Sequence, residues 1–116
     1  MVRVFHCDDS AAYRALIRAE LEGDPEIEIV GGASSVTGAI GQVSEAEPDV
    51  VLLDLLDASD DAVGELLGAA PAAKLVVLSG HPREFGEGRR SGAFAYVEKA
   101  APVRELRETV LRAAAG

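Results

Sequence analysis

Pro48-Asp49-Val50-Val51-Leu52-Leu53-Asp54-Leu55 is the stretch that decides the fold. From Val50 to Leu53 every residue is apolar, so the run has no side left for water. A strand of that kind is covered on both faces, as happens in a parallel sheet with helices packed above and below it. Outward from it, short β-branched runs recur at Val2–Cys7, 26–30, Lys74–Ser79 and 93–97, and helical patterns lie between them. Tyr13, Leu16, Ile17 and Leu21 share one face of the first helix, while Arg14, Arg18 and Glu22 point outward. Val36, Ile40 and Val43 repeat that spacing in the second helix, and Val63, Leu66 and Leu67 in the third. In the last, Pro102 suits the first turn, and Val103, Leu106, Val110 and Ala113 form a stripe that ends at Gly116. The segment 82–92 reads as a short helix with Phe85 as its only large apolar residue and Gly86 and Gly88 interrupting it. Strands alternating with helices from end to end predict an α/β domain with parallel pairing and right-handed crossovers. No linker or low-complexity tract divides residues 1–116, so one domain is expected.

Composition narrows the function. Twenty acidic against 11 basic side chains give a net charge of −9, which repels phosphate backbones and anionic lipid. Direct binding to DNA, RNA or a membrane surface is therefore not expected of these residues. A single cysteine leaves no disulfide framework and no cysteine-based zinc site, in keeping with a reducing cytoplasm. No apolar run approaches the roughly 18 residues of a membrane span, and Val2-Arg3-Val4 opens a strand rather than a signal peptide.

In an open parallel sheet, ligands bind beyond the carboxyl ends of the strands. There the first strand runs into Asp8, Asp9 and Ser10, the third ends in Asp54, the fourth ends in Ser79, and Lys99 stands just past the fifth. Any of Asp8, Asp9 and Ser10 alone could serve as a helix cap. Asp54, at the end of a fully apolar strand, needs a partner. Two like charges about 4 Å apart repel by about 4 kcal/mol at an effective dielectric near 20, so Asp8, Asp9 and Asp54 call for a counter-charge. Hard oxygen ligands with room for water and phosphate favour Mg²⁺, and Lys99 adds a mobile positive charge suited to a phosphoryl oxygen. The set reads as a site for phosphoryl transfer onto a carboxylate nucleophile.

At this point the chain resembles the receiver domain of bacterial two-component response regulators. The likeness rests on Cys7-Asp8-Asp9-Ser10, the run from Pro48 to Leu55, Leu78-Ser79-Gly80 and Tyr96-Val97-Glu98-Lys99, in order along the whole chain. Arg14 and Glu26-Ile27-Glu28-Ile29-Val30-Gly31 look most like the subfamily whose members carry a C-terminal helix-turn-helix domain. The resemblance implies a flavodoxin-like, doubly wound (βα)5 domain with a five-stranded parallel sheet in the order 2-1-3-4-5. It implies that Asp54 accepts a phosphoryl group from a sensor histidine kinase or phosphotransfer protein. Asp8, Asp9, Asp54 and the backbone carbonyl of Leu56 would hold Mg²⁺. Ser79 and Lys99 would meet the phosphoryl oxygens, and Tyr96 would follow by changing rotamer. The switched face, around the fourth helix, fifth strand and fifth helix, would control a partner, a homodimer or an attached output domain.

The sequence departs from the family in two places. After Asp54 it reads Leu55-Leu56-Asp57-Ala58-Ser59-Asp60-Asp61-Ala62, with Ala58 where a proline is usual and Ala62 where a glycine is usual. Asp57 and Asp60 read as a solvated turn and the cap of the third helix, with direct cation binding as the alternative. After Lys99, Ala100 replaces a common cis-proline; a non-proline cis bond costs about 3–4 kcal/mol, so trans and strained cis are both open. The altered loop motivates the rival reading, a degenerate receiver that works as a phosphorylation-independent interaction module. His6 and Cys7 are strand neighbours and face opposite ways, so they do not form a metal cluster with His81. Cys7 reads as core, His6 as packing or a polar bond inside the sheet, and His81 as a helix-start residue at the rim. An aspartyl phosphatase is discounted because Leu56 stands where its general acid belongs.

Overall fold

The computed structural model describes residues 1–54, 59–80 and 92–116. Strands β1 (Val2–Cys7), β2 (Ile27–Ala33), β3 (Val50–Asp54), β4 (Lys74–Ser79) and β5 (Ala93–Glu98) form one parallel sheet in the order β2-β1-β3-β4-β5. Helices α1 (Ala11–Leu21), α2 (Val36–Ala46), α3 (Asp60–Ala69) and a C-terminal helix (Val103–Ala115) connect and follow them. The helix expected within 82–92 lies outside the described residues, apart from Gly92.

The period of two along each strand sends side chains to two separate cores. Val51 and Leu53 of β3 join Phe5, Cys7, Leu75 and Val77 under α2 and α3. Val50 and Leu52 join Val4, Val76, Leu78 and Val97 beneath α1 and the C-terminal helix. All of β3 is buried, which is why its sequence shows no alternation. At the edge, β2 runs three residues beyond the expected end at Val30. The register shifts between Val4 and Phe5, so that Phe5 faces Gly31 and Cys7 faces Ala33. A Cβ on Gly31 would lie 3.0 Å from the Phe5 ring, so glycine here admits the aromatic side chain rather than breaking the strand.

Serines start three helices. Ser10, Ser35 and Ser59 accept from the backbone N–H of Tyr13, Gly38 and Ala62, each at 3.1 Å. The cap of α3 is thus Ser59 and not Asp60, because a serine in extended backbone one residue earlier reaches the free N–H first. Pro102 precedes the last helix, where its missing N–H costs nothing. Cis peptide bonds are absent among the described residues, so the bond between Lys99 and Ala100 is trans. Among the same residues no helix is long and apolar enough to cross a membrane.

Candidate functional site

The carboxyl ends of β1 and β3 deliver two carboxylates into an almost dry corner. Asp8 is fully buried and Asp54 is 5% exposed, while Asp9 beside them faces solvent. Asp8 N still donates to Ala33 O at 3.0 Å, extending the β2 pairing one residue past β1. Its Oδ1 then accepts from Ser10 N at 2.9 Å, closing the turn that leads into α1. Ser10 is therefore a cap, whereas Asp8 points into the site. One carboxylate oxygen each from Asp8, Asp9 and Asp54 lie within 4.8 Å of one another, a spacing that suits a small cation with oxygen ligands.

The counter-charge in this arrangement is Lys99. Its backbone N donates to Ser79 O at 2.7 Å, which anchors the turn after β5 to the end of β4. From there its Nζ reaches Asp8 Oδ2 at 2.7 Å and Asp54 Oδ1 at 3.5 Å. Burial works against the charged amine, but Asp8 and Asp54 together outweigh it and hold Lys99 above the ordinary lysine range. Ser79 is fully buried at the end of β4. Tyr96 pairs with Val77 across the sheet and packs, half-buried, against the core beneath α2 and α3. Leu56, Asp57 and His81 lie outside the described residues, as does the side chain of Asp60.

Two residues read in the sequence as part of the interior, Tyr13 by packing and His6 by packing or a polar bond inside the sheet, touch this cluster. Tyr13 lies on the first turn of α1 with its ring 4.6 Å from Lys99 Nζ, and burial, reinforced by Asp8 and Asp54, pushes its phenol up to about 12. His6 meets that ring edge-on at a centroid distance of 5.6 Å and an interplanar angle of 81°. Its Nε2 is 3.8 Å from Asp8 Oδ2, too far for a hydrogen bond. Helical periodicity places Tyr13 on the inner face but says nothing of the cation above its ring.

Burial lowers His6 from 6.5 to about 4; Asp8 opposes this, and Lys99 and Arg14 add to it. Between those values the unfolded chain carries the extra proton, so stability is complete above about pH 6.5 and falls on acidification. By pH 4 the loss amounts to about 3 kcal/mol. Urea unfolding at pH 7 and pH 4 will show wild type losing about that much more than His6→Leu. Equal losses would mean that His6 is not buried in its neutral form.

No family model matches the chain. A protein-glutamate methylesterase/protein-glutamine glutaminase of Rhodospirillum centenum is 37% identical over 112 residues, covering 90% of this chain and 28% of that protein. The DNA-binding transcriptional activator DevR/DosR of Mycobacterium tuberculosis is 31% identical across 100% of this chain and 56% of its own length. The chain thus spans only part of either protein. Among solved structures, the signal receiver domain of the response regulator NarL from Mycobacterium tuberculosis matches with a TM-score of 0.82 at 24% identity, over 99% of this chain and 97% of that one. The chain thus has the fold of response-regulator receiver domains.

Proposed function

We propose that this chain is a phospho-accepting switch in which Asp54 takes a phosphoryl group from the phosphohistidine of a sensor kinase or phosphotransfer protein. The observation that carries this reading is the Lys99 amine between Asp8 and Asp54, with Asp9 beside them, at the carboxyl edge of the sheet. A carboxylate oxygen of Asp54 attacks phosphorus, the P–N bond to the donor imidazole breaks with its electron pair going to nitrogen, and the imidazole leaves neutral, keeping the proton its other ring nitrogen already carried. Asp8, Asp9 and Asp54 supply hard oxygen donors that fit Mg²⁺. When bound there, the cation would neutralise charge on the transferring oxygens.

Lys99 leaves Asp8 and pairs with a phosphoryl oxygen, and the Ser79 hydroxyl donates to another. A new group of roughly −1.5 to −2 charge thereby pulls two strand ends toward Asp54, and Tyr96 on the neighbouring strand turns with them. The readout is a shift in the population of the face around β5 and the C-terminal helix, used by a partner, a second copy or an attached output domain.

Acetyl phosphate with Mg²⁺ will add one hydroxylamine-labile phosphoryl group per chain, and chelation with EDTA will prevent it. A chain that stays unmodified at saturating donor and Mg²⁺ would leave the phosphorylation-independent interaction module as the better reading.

A further inference from the structure

We propose that Tyr13 is a positioning residue whose ring holds Lys99 against Asp8 and so sets how readily a divalent cation enters the acidic cluster; the proposal rests on reading that cluster as a cation site. An ammonium group has three N–H donors and no acceptor. That of Lys99 faces three partners at once: Asp8 Oδ2 at 2.7 Å, Asp54 Oδ1 at 3.5 Å and the Tyr13 ring at 4.6 Å. The ring is placed by the Ser10 cap, which fixes the first turn of α1, and is braced by the edge of the buried His6 ring. Its phenol, pushed up to about 12 by burial and by Asp8 and Asp54, stays neutral beside the ammonium.

The consequence is competition. A cation seated among Asp8, Asp9 and Asp54 repels the ammonium, so Lys99 has to give up its place at Asp8 before the cation settles. Every contact that steadies Lys99 in that place counts against cation entry. The Tyr13 ring is such a contact, and it acts through its face, not through its hydroxyl.

Tyr13→Leu will therefore bind Mg²⁺ about three- to tenfold more tightly than wild type, and Tyr13→Phe will match wild type. Mg²⁺ titrations followed by backbone amide NMR, with no phosphodonor present, give these affinities. In a Lys99→Met background, Tyr13→Leu will change nothing, because the ring then has no ammonium to hold. The metal-free spectrum adds a second reading. Ring current will shift the Lys99 ε-methylene protons upfield in wild type and in Tyr13→Phe, and Tyr13→Leu will abolish the shift. Weaker or unchanged Mg²⁺ binding in Tyr13→Leu, a Phe variant that behaves like Leu, or an effect that survives without Lys99 would each overturn the proposal. If the upfield shift is present but wild type binds no Mg²⁺, the cation reading fails and the proposal fails with it. An absent shift overturns the Tyr13 contact alone.

Discussion

Asp54→Asn will take up no phosphoryl group from acetyl phosphate, yet it will fold and unfold like wild type. Asparagine keeps the shape of the side chain and removes the charged oxygen that attacks phosphorus, so transfer stops while packing is preserved. Stability has little reason to fall. The change gives up a 3.5 Å contact to Lys99, but it also removes one of three carboxylates whose oxygens lie within 4.8 Å of one another. At such a separation each like-charge pair costs about 3–4 kcal/mol with an effective dielectric near 20, so relief offsets loss. Hydroxylamine-labile uptake measured beside the urea midpoint checks both halves. Uptake that persists in Asp54→Asn would place the acceptor elsewhere.

Lys99→Met will destabilise the metal-free chain by about 3 kcal/mol or more, because it leaves the fully buried Asp8 without its ion-pair partner. Methionine is close to lysine in length and fills the mostly buried position, so lost packing contributes little. The remedy follows from the same charge count. Mg²⁺ can replace the missing counter-charge, so millimolar Mg²⁺ will restore much of the stability of Lys99→Met and will add far less to wild type. Thermal unfolding with and without the cation measures this directly. Equal stabilisation of the two proteins by Mg²⁺ would mean that lysine and cation do not share Asp8.

The parts of the fold that were legible in the sequence are those in which a single physical requirement governs the residue choice. Val50 to Leu53 have to be apolar on both sides of the sheet, and β3 and β4 end at the first polar residue after such runs. The carboxyl-edge rule then brought Asp8, Asp9, Asp54 and Lys99 to one place, and the structure puts their charged atoms together. What escaped the sequence depends on partners far away along the chain. Gly31 and Gly32 look like the end of a strand until the Phe5 ring is seen beside Gly31. Ser59 and Asp60 are both good caps on propensity, and only the backbone geometry decides between them. Tyr13 and His6 carry the marks of core residues, and they are largely that, but the turn after β5 brings an ammonium group over the Tyr13 ring. Periodicity assigns a face to a side chain and leaves open which charge waits there.

The central claim is that Asp54 becomes an acyl phosphate. Borohydride reduction after incubation with acetyl phosphate and Mg²⁺ converts a phosphorylated aspartate to homoserine, and peptide mass spectrometry then locates it. The account predicts homoserine at position 54 and at no other aspartate, with Mg²⁺ required. Homoserine at position 8 or 9, or none under conditions that saturate the donor, would contradict it.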